Sequence, residues 1–222
     1  MNATVVLGTL LGFLLLTVIP YFLGCSNGAI LVSKYILRDD IRQHGSGNAG
    51  LTNFYRTFGG KLTFVVILAD VLKAVFALLL GVLGAYLLRR AGFSSFSALR
   101  AKYIAGLFCE LGHMFPVMFG FKGGKGIMSG GIIAIMIDWR VAVVVWGSFL
   151  ILAIATKYVS LGSISTGILF PIMAWILWQD WLCLICATAI GGLIVFQHRS
   201  NIQRLIHGTE SKFSFHHKGE SS

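Results

Sequence analysis

Charge is the scarcest ingredient of this 222-residue chain: charged residues make up 12% of it, where soluble domains carry about 25%. Acids are rarer still, with eight Asp and Glu against 18 Lys and Arg. With 56% hydrophobic residues and a mean hydropathy of +0.83, that scarcity excludes a soluble globule, and the high hydrophobicity excludes intrinsic disorder. Periodicity is missing too. The 27 glycines follow no repeat and no heptads persist, which excludes collagen and coiled-coil arrays. Cysteines are few: Cys109, Cys183 and Cys186 lie in apolar stretches and Cys25 ends one. Without companion zinc ligands they read as small buried hydrophobes. What remains is an all-α integral membrane protein. Its net charge of +10 must crowd into loops or line a polar cavity, which suits anionic headgroups or an anionic substrate.

A crossing needs about 20 apolar residues, and Lys and Arg choose the side. The first run has no basic leader and no small-residue cleavage site, so a retained helix is expected over Ala3 to Leu23, loosened at Pro20 and Gly24. A second span is expected from Leu62 to Leu88, interrupted by Asp70 and Lys73, and a third from Tyr103 to Phe119. The run from Ile127 to Thr156 is cut by Asp138 and Arg140, leaving either a short hairpin or one interrupted helix. Tyr158 to Gln197 divides into two spans at Gln179 and Asp180. Counting the hairpin as two crossings predicts seven transmembrane helices, two of them short, with the N-terminus outside and the C-terminus inside. That count puts 12 of the 18 bases inside, although Arg89, Arg90, Arg100 and Lys102 form a basic outer loop against the positive-inside tendency. Residues 1–212 form a single membrane-embedded domain, and 213–222 a polar tail in which His216 and His217 are solvated.

Three polar segments share one face in this arrangement. The first holds Gly45-Ser46-Gly47-Asn48-Ala49-Gly50-Leu51-Thr52-Asn53-Phe54-Tyr55-Arg56. Its G-x-G-x-x-G match is not a dinucleotide fold, because that motif must follow a strand. The glycines still let backbone approach an anion, Ser46, Asn48, Thr52 and Asn53 offer hydrogen bonds, and Arg56 brings a planar bidentate charge. The second segment, Lys122-Gly123-Gly124-Lys125-Gly126, has the wrong spacing for a Walker A loop but leads into a helix whose free N–H groups, with Lys125, suit a phosphate or carboxylate. The third runs from His198 to Glu210, with His198, Asn201 and Leu205 at helical spacing on one face and Arg204 beside Asn201. Each could equally be an ordinary polar turn or a solvated tail helix. Within the spans, Asp70 with Lys73 and Glu110 with His113 are three apart, so each pair can meet on a helix face; structural pairing is expected for them.

GSGNAGLTNFYRTFG, KGGKGI and HRSNIQRLIHGTE, in this order between membrane helices, resemble the three signature motifs of the bacterial PlsY family, the acyl-phosphate:glycerol-3-phosphate acyltransferases. The resemblance extends to Asp40-Ile41-Arg42, Asp70-Val71-Leu72-Lys73 and Gly112-His113-Met114-Phe115-Pro116, covering about Pro20 to Lys212. Departures are small: Ala74 stands where the family usually has Gly, Met128 where it has Ala, and Val18 where it has Ser.

The resemblance implies transfer of a fatty acyl group from acyl phosphate to the 1-hydroxyl of glycerol 3-phosphate, giving lysophosphatidic acid and phosphate at the cytoplasmic face of a bacterial inner membrane. No histidine here has an Asp five positions on, so the dyad of soluble-type glycerolipid acyltransferases is absent, and no covalent nucleophile suggests itself. Direct transfer is therefore expected. The catalytic set would be Ser46, Arg56, Lys125, His198 and Asn201. Gly47, Asn48, Thr52, Asn53, Gly123, Gly124, Gly126 and Arg204 would bind phosphate, and Glu210, Asp70 and Lys73 would be structural. No cofactor, metal, nucleic acid or obligate protein partner is expected beyond the two substrates and membrane lipids. The rival reading from another class is an anion or lipid-phosphate transporter, which should show repeat symmetry.

Overall fold

Long uncharged runs with no room for strand alternation can satisfy their backbone in lipid only as helices, and helices are what the computed structural model contains. It describes residues 2–213; the remainder of the expected tail, including His216 and His217, lies outside the described residues.

The first rod is continuous over Ala3–Cys25: α1 (Ala3–Phe13), a π-helical turn at Leu14–Val18, and α2 (Ile19–Cys25). The expected loosening is this π turn, just ahead of Pro20, whose missing N–H removes one rung of the ladder. A short α3 (Gly28–Leu31) and a second π turn lead into the first polar segment, which carries α4 (Leu51–Phe58). Then come α5 (Leu62–Arg90) and α6 (Ala98–Met114). The expected third span, Tyr103 to Phe119, is misplaced at both ends. Ser97 caps α6 by accepting from the Arg100 amide, and Pro116 disfavours helix at the residue before it, so α6 stops at Met114.

The interrupted stretch folds back as a hairpin: α7 (Ile127–Ile137) and α8 (Trp139–Thr156) meet at Asp138, whose carboxylate accepts from the Arg140 amide (2.8 Å) and its Nε (2.9 Å). Antiparallel pairing is fixed by Trp146 on α8, whose indole N–H donates to the Gly131 carbonyl on α7 at 3.2 Å. α9 (Val159–Trp178) and α10 (Trp181–Gln197) turn at Gln179, with φ +49°, and Asp180, which caps α10. α11 (Arg199–Ile206) continues α10 at a bend of 55°. Among the described residues, four helices are long and apolar enough to cross a membrane, namely Ala3–Cys25, α5, α8 and α9, and five if the bent α10 and α11 pair is one span. α6 has 17 residues and α7 has 11.

Small residues bring these rods together. The Cα of Gly24 packs on the Cys109 carbonyl and that of Gly112 on the Tyr21 carbonyl, so α2 and α6 touch backbone to backbone and any side chain there would collide. Tyr103, Ile133, Phe170 and Ile190 are buried where α6, α7, α9 and α10 converge. Phe64 and Ile154 are 73% and 74% exposed, a surface suited to lipid and not to water.

The ends of the bundle sort the polar segments. At one end, Arg100 pairs with Asp180 at 2.7 Å, and Lys102 donates to the Met136 carbonyl at 2.6 Å. These bonds occupy two cations of the basic loop that runs against the positive-inside tendency. The three motif segments gather at the other end. Inside the bundle, Asp70 and Lys73 pair at 2.7 Å as expected, but Glu110 and His113 do not. The Lys73 ammonium instead donates to His113 Nδ1 at 2.6 Å, and Asp70 also accepts from the Gly28 amide. Glu110 turns toward the start of α7, against Gly126 and Gly130.

Candidate active site

The first motif is shaped by one amide. Asn53, buried on α4, donates through Nδ2 to the carbonyls of Ile41 (3.3 Å), His44 (3.0 Å) and Asn48 (3.0 Å). Its Oδ1 accepts from the Ser46 N–H at 3.1 Å. Gly45 and Gly47, at φ +55° and +69°, supply the left-handed turns that wrap this loop round the amide. The loop leaves Ser46 exposed, and Thr52 and Arg56, four apart on α4, share a face with it. Arg56 makes no hydrogen bond or ion pair among the described residues. Arg42 anchors the loop, with an ion pair to Asp40 at 2.6 Å and a bond to the Phe119 carbonyl at 2.8 Å.

The second motif departs from expectation. The N–H groups of Gly123 and Gly124 do not face an anion; they donate to the Met114 and His113 carbonyls, each at 3.1 Å. The carbonyls ending α6 lack helical partners, and this loop supplies them. Gly124 sits tight against the His113 ring and the Ala49 carbonyl. Gly126, at φ +79°, then starts α7 and leaves Lys125 directed across to the third motif.

There the bend between α10 and α11 places His198, whose Nδ1 donates to the Ile194 carbonyl at 2.8 Å. That bond holds the proton on Nδ1 and leaves the Nε2 lone pair of the neutral ring available. Lys125 donates to Asn201 Oδ1, Asn201 Nδ2 donates to Glu210 at 2.7 Å, and Arg204 pairs with the other Glu210 oxygen at 2.7 Å. Burial first, then the Arg204 guanidinium, pull the Lys125 ammonium down to about 8, with Glu210 opposing. Burial works against the Glu210 carboxylate, but the bonds from Asn201 and Arg204 outweigh it and hold its pKa below the usual range.

These groups line one cavity of about 710 Å³. Of the residues singled out in the sequence, Ser46, Asn48, Thr52, Asn53, Arg56, Lys125, Gly126, His198, Asn201, Arg204 and Glu210 line it, and Asp70 reaches its wall. Gly47, Gly123, Gly124 and Lys73 are not in the lining. Arg56, Lys125 and Arg204 make the cavity cationic, while Ile127, Trp146 and Phe149 give it an apolar side.

A family model described as Glycerol-3-phosphate acyltransferase matches residues 14–208. The glycerol-3-phosphate acyltransferase of Thermoanaerobacter pseudethanolicus is 38% identical over 198 residues, which cover 89% of this chain and 94% of that protein. The chain belongs to the PlsY family of glycerol-3-phosphate acyltransferases. The corresponding enzyme of Finegoldia magna is 37% identical over 201 residues, 90% of this chain and 95% of its own. Two crystal structures of PlsY (YgiH), an integral membrane glycerol 3-phosphate acyltransferase, share the fold at 32% identity. Its glycerol 3-phosphate form has a TM-score of 0.77 over 91% of this chain and 96% of that one. Its lysophosphatidic acid form has a TM-score of 0.74 over 91% and 95%. The acyltransferase is an integral, multi-pass helical membrane enzyme.

Several cavity residues of the acyltransferase escaped the motif reading. Trp146 and Phe149 on α8, and Val159, Ser160 and Ser163 on α9, form the wall opposite the three motifs. In sequence they look like any other positions of an apolar span, so no local signal separates them from lipid-facing neighbours. His113 was legible as a charge inside a span, but its place in the cavity wall depends on the Lys73 contact 40 residues away.

Proposed function

We propose that this acyltransferase moves a fatty acyl group from acyl phosphate to the 1-hydroxyl of glycerol 3-phosphate, giving lysophosphatidic acid and inorganic phosphate. The observation that carries the reading is the make-up of the cavity. Three cations face an apolar side formed by Ile127, Trp146 and Phe149, which matches two phosphorylated substrates of which one carries a fatty chain. An acyl phosphate already has a good leaving group, so the protein's work is to align two anions and stabilise charge on the carbonyl oxygen. The hydroxyl oxygen attacks the acyl carbon, the bond from that carbon to the phosphate oxygen breaks, and the hydroxyl proton passes to a phosphate oxygen, whose second pKa is about 6. No acyl-enzyme forms.

Arg56, Lys125 and Arg204 hold the phosphates with Ser46, Asn48 and Thr52, and His198 Nε2 and Asn201 orient the hydroxyl or the carbonyl. Gly126 lets the substrate pass close to the start of α7. Asn53, Gly47, Gly123 and Gly124 act by shaping the two loops, Glu210 by holding Asn201 and Arg204 in line, and Asp70 and Lys73 by neutralising each other beneath the site. The chain crosses a bacterial inner membrane seven times, counting α6, α7 and α10, with its N-terminus outside and the cavity open to the cytoplasm. The distribution of Lys and Arg supports this orientation.

Purified protein given acyl phosphate and glycerol 3-phosphate should release lysophosphatidic acid and phosphate in equal amounts, with no acyl adduct on the protein by intact-mass spectrometry. Product from acyl-CoA or acyl carrier protein alone, or a trapped acyl-protein, would contradict the reading.

A further inference from the structure

Trp146 stands at the boundary between two spaces. It lines the cationic cavity together with Ile127 and Phe149, and the same three residues line a second, apolar space that continues between α7, α8, α9 and α10. That space is walled by Gly130, Gly131, Val145, Phe170, Ile190 and Ile194, and among the described residues its one hydroxyl is that of Thr166, which is engaged by the Ser163 carbonyl at 2.7 Å. Among the described residues, no charged side chain lines it. Its free volume is about 10 Å³, no more than one water could fill.

The indole is what closes it. Gly131 offers no side chain, and the six-membered ring of Trp146 occupies that slot: a Cβ added to Gly131 would overlap Cζ2 and lie 2.7 Å from Cε2. The ring is held on two sides, by the bond from its N–H to the Gly131 carbonyl at 3.2 Å and by edge-on contact with Phe149, centroids 5.7 Å apart at 82°. A tryptophan hydrogen-bonded into a glycine slot within an apolar hairpin is a rigid stop, because the ring can move only by giving up both contacts.

We propose that Trp146 is the residue that sets acyl-chain length, its indole in the Gly131 slot blocking the apolar space into which the distal methylenes of a longer chain would extend. The inference rests on the acyltransferase reading and deepens it. Each methylene admitted to an apolar site is worth about fourfold in binding, so opening the space to even two more carbons changes selectivity by roughly tenfold or more. Glycerol 3-phosphate carries no chain and is indifferent to the change.

The test is a series of acyl phosphates of increasing chain length, read as the ratio of kcat/KM for a long chain to that for a short one, in the native protein and in Trp146→Phe and Trp146→Ala. The ratio should rise at least tenfold in Trp146→Ala and by less in Trp146→Phe, with KM for glycerol 3-phosphate unchanged. Unchanged ratios in both variants would overturn the assignment, and so would a fall in activity equal for all chain lengths. A native protein that uses a different acyl donor would refute the donor reading alone, because the same ratio is then read with that donor. Native mass spectrometry of bound lysophosphatidic acids of different chain length provides a readout that needs no turnover. It should show a shift toward longer chains in Trp146→Phe that is smaller than in Trp146→Ala, and an unshifted distribution in both would count against the proposal.

Discussion

Raising the pH from 7 to 9 should strip the cavity of one of its three cations. A lysine in water keeps its proton to about pH 10.4, but burial and the facing Arg204 bring Lys125 down to about 8. About nine-tenths of the Lys125 side chains are then charged at pH 7 and about one-tenth at pH 9. If the charged form holds phosphate, kcat/KM for glycerol 3-phosphate should fall nearly tenfold across that interval, approaching tenfold per pH unit beyond it. The substrate contributes no limb there, because a phosphate monoester with a second pKa of about 6 is already a dianion. A bound phosphate favours the ammonium, so the kcat profile should break at higher pH than that of kcat/KM.

The stability of the protein should move the other way. The folded pKa lies below the unfolded one, so between pH 8 and 10.5 the unfolded chain binds more protons and stability rises with pH. The burden relieved is about 3 kcal/mol at most. Loss of activity with no loss of thermal stability therefore separates deprotonation from unfolding. The assay is initial-rate formation of lysophosphatidic acid from pH 6.5 to 9.5, corrected for spontaneous hydrolysis of the donor, in the native protein and in Lys125→Arg. The arginine variant keeps its charge and should lose the alkaline limb even if its rate is lower. A limb near pH 8 that persists in Lys125→Arg, or none in the native protein, would refute the reasoning.

Arg56→Ala removes an exposed side chain that makes no bond among the described residues, so KM for a phosphate substrate should rise ten- to a hundredfold, the equivalent of about 1.5 to 3 kcal/mol, with no change in Tm; near-normal kinetics would remove Arg56 from the site. Asn53→Ala breaks four hydrogen bonds at once and should destabilise by roughly 2 to 4 kcal/mol, and Asn53→Asp, which sets a carboxylate against three carbonyls, should do at least as badly in thermal unfolding. Gly124→Ala pushes a methyl into the His113 ring and the Ala49 carbonyl, so it should lower Tm and kcat together, at about 1 to 3 kcal/mol; a raised KM at unchanged Tm would mean that it crowds substrate instead. Single cysteines at Trp139 and Ser211, in a protein without Cys25, Cys109, Cys183 and Cys186, should react with an impermeant maleimide from opposite sides of the membrane, and labelling of both from one side would overturn the seven-crossing arrangement.

The amino-acid sequence by itself determined the membrane class, the break at Asp138, the turn at Gln179 with Asp180, and the family. Each depends on local quantities: the length of an apolar run, a capping carboxylate that interrupts it, or a string of adjacent residues. It also determined which residues were available to the site, since each of the three motifs lies in a polar segment that adjoins a span. What those residues do was decided by tertiary structure. Asn53 was legible as a hydrogen-bonding group, yet its four bonds go to its own loop, because that loop closes on α4 and encloses the amide. Gly123 and Gly124 were legible as exposed backbone, but the end of α6 lies beside them and takes their N–H groups. Helical spacing placed Glu110 and His113 on a common face, and could not say that Lys73, on another helix, approaches His113 more closely. Trp146 and Gly131 carried no signal at all, since a ring and the slot that receives it become a unit only when the hairpin folds back. Spacing along one helix defines which residues share a face; which neighbour that face meets depends on how the rods pack.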